Sequence, residues 1–321
     1  MDIIKLVGVF IIILIFINKK KPLFIAMLGG VAAVIIFYQI SFSALPSLFW
    51  QGFTGPATIN LVLSFYFITF LQRMMEKRKR LMQAEMSINR LFNNPRLSVM
   101  LVPFVIGLLP SPGAVLIAAP IVDKTAGDSL NIEEKCFVTS YFRHISEAFL
   151  PTYASILLAI ELSGQNVTSF VFWMLPMVFV LFFLGYLLYV RKIPKNTANF
   201  VKANKAFEVK EIVRSLWPIA AGVLLILFAH LPVFAAVLIV LIINVFVERF
   251  TLKELKPMVV SAFEYKLIFS SIAIMIFKEM LSYTGVITEL PVWFQAFPIS
   301  PAIIFALIFF FGTLVAGGQS M

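Results

Sequence analysis

The chain has 321 residues, of which 61% are hydrophobic, 13% are charged and 35 are phenylalanine. A soluble domain is about a quarter charged, so the composition excludes an ordinary soluble globular protein and predicts an all-α, polytopic membrane protein. The net charge of +10 sits in short Lys/Arg clusters between apolar runs, which is a topology signal and not a nucleic-acid stripe, and the single Cys136 excludes an internal disulfide.

A bilayer crossing needs roughly 17–25 apolar residues. Such stretches are predicted near 2–18, 22–40, 57–75, 136–160, 169–190, 215–230, 232–248 and 265–284. The first is followed by Lys19-Lys20-Lys21 with no small-residue cleavage site, so it reads as a span and not a signal peptide. In 76–96, Leu81, Met82, Met86, Ile88 and Leu91 fit the lipid-facing side of a surface helix, with Lys77–Arg80 near anionic headgroups. A solvated basic loop is the alternative there. Two further apolar stretches, 97–121 and 299–321, are interrupted near the middle by Pro and Gly. They are expected to be re-entrant hairpins, since exposed backbone at that depth must be buried by protein or line a wet cavity.

The loops at 19–21, 73–96, 191–214 and 249–256 are basic, whereas 41–56, 161–168 and 285–300 contain no Lys or Arg. The alternation predicts a multi-pass inner-membrane protein with its N-terminus outside and its basic loops in the cytoplasm. The two interrupted stretches also resemble each other. At a constant offset, Pro95 meets Pro301, Leu101 meets Leu307, Phe104 meets Phe310 and Leu108 meets Leu314. Ser64 and Phe70 meet Ser271 and Phe277, and Pro22, Phe24, Ala26 and Leu28 meet Pro232, Phe234, Ala236 and Leu238, at nearly the same spacing. With the predicted orientation, this gives inverted repeats: 1–192 with five spans and the cytoplasmic-side hairpin, a linker at 193–214, and 215–321 with three spans and one arm of an outer-side hairpin. The second repeat is expected to be truncated, because the chain stops at its tip. Interrupted apolar segments in both halves mark the binding site of a secondary transporter.

The candidate site residues follow from that scheme. The first tip, Pro110-Ser111-Pro112-Gly113, offers short helix ends and one hydroxyl to a ligand. Its counterpart is Gly317-Gly318-Gln319-Ser320. In the fourth span, Arg143 and Glu147 are four apart and can pair on one helix face, with His144 beside them. Pro151 lacks an amide hydrogen and disfavours helix at Leu150, so this span is predicted to break beside Thr152. A buried structural ion pair is the competing reading of Arg143 and Glu147. Lys278-Glu279 reads as a neutralising pair, and His230 as a turn residue without a role. No Walker loop, zinc spacing or dinucleotide fingerprint is present in the sequence.

Three segments, LLPSPGAVLIAAPIVD (108–123), YFRHISEAFLPTYASILLA (141–159) and the basic stretch before the first hairpin, resemble an uncharacterised prokaryotic membrane-protein family, a domain of unknown function. That family is placed in the ion transporter superfamily, with dicarboxylate, citrate, gluconate and arsenite carriers. The resemblance implies inverted repeats, each with a re-entrant hairpin and a broken fifth element, and a substrate site where the two tips meet. It assigns Ser111 and its neighbours to one tip, Leu150–Tyr153 to the break and Gly317–Ser320 to the other tip.

The expected function is secondary active transport of a small anionic solute by alternating access. Arg143 would supply positive charge, and Glu147 or His144 proton coupling, with sodium as the other coupling ion. No enzymatic activity, cofactor, metal site or nucleic-acid partner is expected. The expected partners are the lipid bilayer, the solute, and a homodimer mate or another chain completing the second repeat. Two rivals stand against transport: a non-transporting remnant or membrane scaffold, and an intramembrane hydrolase with Ser111 as nucleophile and His144 as base.

Overall fold

A computed structural model of the chain describes residues 2–92, 94–108, 114–195, 204–295 and 299–317. Helices and turns account for all regular structure among the described residues, with no strand. The helices are α1 (Asp2–Asn18), α2 (Leu23–Phe37), α3 (Leu45–Thr54), α4 (Pro56–Lys77), α5 (Arg80–Phe92), α6 (Pro95–Ile106), α7 (Ala114–Ala126) and α8 (Ile132–Ile145). They continue with α9 (Ala154–Ser163), α10 (Val167–Leu188), α11 (Lys205–Phe228), α12 (Val233–Val247), α13 (Leu252–Ser261), α14 (Tyr265–Tyr283), α15 (Val286–Gln295) and α16 (Pro301–Gly317).

Among the described residues, three helical stretches are long and apolar enough to cross a membrane: Leu45–Lys77, Val167–Leu188 and Lys205–Phe228. A fourth arises if α13 and α14 are read as one span. The eight full spans expected from hydropathy are therefore not all present as single long helices. At 1.5 Å per residue, the 15-residue helices α2 and α12 reach only about 22 Å, short of a hydrocarbon core of about 30 Å. The stretch 136–160 is divided between α8 and α9. Residues 97–121 hold two short helices, α6 and α7, that pack on each other.

The helices divide into two compact units. The first comprises residues 1–59 and 265–321, the second 60–264. In the first unit, α14 packs on α2 and α3 around Val9, Ala26, Val34 and Met280, none of which reaches solvent. Gly52 of α3 meets α14 backbone to backbone, since a Cβ there would come within 2.7 Å of Ile276 Cα. In the second unit, the C-terminal half of α4 packs on α12 and α13 through Phe70, Met74, Leu241, Phe250 and Met258. The bundle α6–α7–α8–α10 closes around Val99, Val122, Phe142 and Val178.

Helix α5 departs from the surface-helix expectation. It is docked on α11 and α6, with Ala84 and Ile88 buried against them and Leu81 also buried, while Met82 and Met86 are exposed. Its apolar residues are thus divided between two faces. Arg80, expected near headgroups, is buried and bound to Glu248, with Nε and Nη2 lying 2.9 and 2.6 Å from Oε1. Three helices lie where loops were expected, one of them α15 within 285–300. α3 occupies part of 41–56, and α13, opened by a capping box of Thr251 and Glu254, occupies part of 249–256 and beyond. α11 starts at Lys205, inside the expected linker, with the Asn204 side chain accepting from Phe207 N.

The backbone carries a recurrence finer than the sequence one. α2 and α12 are each 15 residues long, and each follows a proline N-cap, Pro22 or Pro232. Both end in a Schellman motif: Ile40 N donates to Ile35 O at 3.1 Å, and Phe250 N donates to Val245 O at 3.0 Å. The left-handed residue in these motifs is Gln39 in one and Arg249 in the other, with φ of 53° and 52°. Lys20 and His230, which precede the two helices, are also left-handed, at 55° and 51°. Lys79 and Gly285 do the same before α5 and α15. α3 and α13 are 10 residues each, and α6 and α16 both begin at proline.

Candidate functional site

The most distinctive junction in the second unit joins the end of α6 to the break between α8 and α9. α8 starts with a capping box in which Asn131 and Glu134 satisfy each other's backbone N–H, and it runs regularly to Ile145. A 3₁₀ turn, Ser146–Ala148, follows, and residues 149–153 are irregular before α9 begins at Ala154. The break lies where Pro151 removes a donor and restricts Leu150, as the sequence predicts.

α6 ends against this break. Gly107 O accepts from Tyr153 OH and lies 2.5 Å from Ser146 Oγ, whose single hydrogen is shared with Arg143 O at 2.9 Å. A Cβ at Gly107 would sit 2.2 Å from Arg143 O, so only glycine permits this approach. The carbonyl left unsatisfied at the end of a half-length helix is thereby anchored on the broken one.

Next to the junction is a small cavity of about 20 Å³, room for one water molecule. Its walls include Ile68 and Leu71 of α4, Leu108 just past α6, Thr152 in the break, and Pro218 and Gly222 of α11. The walls are almost wholly apolar. Thr152 Oγ1 is buried and has no hydrogen-bond partner among the described residues. Among the described residues it is the one side-chain polar group on the wall.

Arg143, His144 and Glu147 are brought together at the end of α8. Arg143 Nη1 lies 3.0 Å from His144 Nε2 and 3.4 Å from Glu147 Oε1. Arginine only donates, so Nε2 accepts and the ring proton sits on Nδ1, 2.6 Å from Ser140 O. Arg143 is buried, whereas Glu147 keeps 34% of its side-chain surface and His144 48%. The trio is therefore a half-exposed cluster, not a fully buried ion pair, and it does not line the cavity. Pro110, Ser111, Pro112 and Gly113 lie outside the described residues, as do Gly318, Gln319 and Ser320. Gly317 is the last residue of α16.

Sequence reasoning did not single out Gly107, Ser146 or the hydroxyl of Tyr153. A glycine closing an apolar half-helix was visible, but its partners are 39 and 46 residues away and carry no common spacing signal.

These features define an all-helical protein with helices able to cross a membrane, in which a half-length helix is pinned to an interrupted one. Residues 3–320 match the model of the family described as "Protein of unknown function (DUF401)", and the chain belongs to that family. A search of curated proteins found no match.

Proposed function

We propose that the chain is a secondary active transporter of the ion transporter superfamily type, moving a small anionic solute across the cell membrane by alternating access. The observation that carries this reading is the junction of Gly107, Ser146, Tyr153 and Thr152. Interrupted helices gather backbone and hydroxyl groups at one place, here with Thr152 Oγ1 left unpartnered among the described residues, an arrangement that transporters use for binding and a simple helical bundle avoids.

The backbone recurrence supports two repeats. In a pair related by a two-fold axis, an element of one repeat touching a second element of the other implies the reverse contact. α14 packs on α2 and α3, and α4 packs on α12 and α13, which is that reciprocal pattern. Opposite topology then follows from the Lys/Arg alternation, with the basic loops in the cytoplasm. The exposed Phe172, Trp173, Phe179 and Phe183 of α10 suit a lipid-facing surface.

In this conformation the cavity admits only one water, so an organic or inorganic anion requires α4 or α11 to move. Pro218 removes a helix hydrogen bond within α11, and Gly222 lies one turn further on; together they provide a bending point. Arg143 supplies positive charge beside the break, and coupling is to protons or sodium. His144 favours transport over the hydrolase alternative, because both of its ring nitrogens are engaged, with Arg143 and Ser140.

The test is uptake by proteoliposomes across a panel of organic and inorganic anions, with and without proton and sodium gradients. Gradient-driven uptake of at least one anion, abolished by Arg143→Gln and reduced by Thr152→Val, is expected. No uptake of any anion by folded protein refutes the assignment.

A further inference from the structure

We propose that Glu85 is a proton-binding switch that holds α5 on α11 when neutral and loosens that contact when ionised. This inference concerns a different place from the junction and stands without the transport reading.

Glu85 lies on the face of α5 that packs against α6 and α11. It is 2% exposed, and its Oε2 has no hydrogen-bond partner among the described residues. Its surroundings are apolar, built from Ala84 and Ile88 of the same helix, Val102 of α6, and Ile212 and Leu216 of α11. Ser98 Oγ on α6 and Ser215 Oγ on α11, both fully buried, likewise lack partners among the described residues. A neutral carboxyl or a bound water is compatible with such a seam. An ionised carboxylate without a counter-ion is not.

Among the described residues of α5, α6 and α11, no cation is positioned to neutralise it. On α6 the only charge is Arg96, which is spent on Ile193 O and Arg191 O. On α11, Arg214 lies 3.9 Å from Glu211, Lys205 and Lys210 are exposed, and the buried Glu208 is 3.8 Å from Arg90. On α5 itself, Arg80 is bound to Glu248. Burial alone raises the Glu85 carboxyl to about 7, from an ordinary value of about 4.5.

The sign follows from linkage. A raised folded-state value means that docking is strongest below about pH 4.5, weakens by about tenfold per pH unit as one proton is lost, and levels off above about 7. α5 is thereby poised to respond across the acid range between about pH 4.5 and about pH 7.

The experiment uses the full chain in phospholipid nanodiscs. Cys136, which is exposed, is replaced by serine, and Ala84→Cys serves as a buried reporter on the docked face. The rate of modification by a charged methanethiosulfonate is measured from about pH 5 to about pH 8. Dividing by the rate for the same reporter carrying Glu85→Gln cancels the thiol's own titration. The ratio is expected to climb with pH and level near 7, and a ratio independent of pH overturns the proposal. An infrared difference between the two proteins should show a protonated-carboxyl band at about pH 5 that is absent at about pH 8. Lack of that band at the lower pH also overturns it. Should Glu85→Gln fail to accumulate, Glu85→Asp is the comparison. It still titrates, so the rise in reporter accessibility must persist, and its disappearance counts against the switch.

Discussion

The Arg80–Glu248 pair gives the sharpest test of how α5 is fixed. Both side chains are nearly enclosed, at 8% and 7% exposure, and the guanidinium reaches the carboxylate through Nε and Nη2. Removing one partner leaves a buried charge without compensation, which costs about 3–5 kcal/mol. Arg80→Met keeps the aliphatic stem and removes the guanidinium, with its hydrogen bond to Gln83 as well as its charge. Arg78 moderates the loss, because its Nη2 already donates to the Glu248 carbonyl at 3.1 Å and can turn towards the orphaned carboxylate. The expected destabilisation is therefore near 3 kcal/mol, at the lower end of that range. The double change Arg80→Met, Glu248→Leu removes both charges and should recover most of it, because apolar replacement of a buried pair is often neutral or favourable. Reversible unfolding of the full chain in mixed detergent micelles measures all three variants. A single change costing under about 1 kcal/mol, or a double change no better than the worse single one, would refute the description of this pair as buried and mutually dependent.

Gly107→Ala should destabilise the second unit by about 1–3 kcal/mol and impair uptake, since the new methyl meets Arg143 O and the chain must shift. Ser146→Ala should cost only about 0.5–1.5 kcal/mol, as Gly107 O keeps its bond from Tyr153; equal losses from the two would contradict the steric argument. The side-chain hydrogen bond from Arg78, the backbone bond from Thr251 and the Arg78 charge hold the Glu254 carboxyl down to about 2. Its contribution to stability is therefore complete above about pH 4.5 and lost as pH falls through about 2. Arg78→Gln should flatten that acid limb of the unfolding profile, and an unchanged limb would show that Arg78 is not the cause. Thr152→Val, which removes the one unpartnered hydroxyl on the cavity wall, should leave unfolding within about 1 kcal/mol and lower solute affinity in the uptake assay.

What was legible in the sequence was legible for local reasons. Pro151 announces the break in the fourth apolar stretch, because a missing amide hydrogen acts on its own helix wherever the rest of the chain goes. Arg143, His144 and Glu147 meet because four-residue spacing brings them onto one face. The docking of α5 was not legible. Its face against lipid and its face against α11 would both be apolar, and only the partner helix decides which residues are buried. Arg80 belongs to a basic cluster that reads as a headgroup contact until Glu248, 168 residues away, is seen beside it.

The repeat shows the same limit from the other side. The left-handed positions pair Lys20 with His230, Gln39 with Arg249 and Lys79 with Gly285, and no pair shares a side chain. For all but glycine this conformation is disfavoured by roughly 1–2 kcal/mol, so its occurrence at these three pairs of positions is support for the proposed repeats. The hydrogen bonds beside it recur as well, Tyr38 N to Val34 O and Glu248 N to Asn244 O, both at 3.0 Å. What recurs is therefore the path of the chain at helix ends, where a turn must redirect the next helix whatever residue occupies it. Side chains at those ends face different neighbours in the two halves and are free to diverge. His230, which carries no chemistry in the sequence, is best explained as the geometric counterpart of Lys20. Replacing each with glycine should stabilise the chain slightly, because glycine adopts this conformation without steric cost.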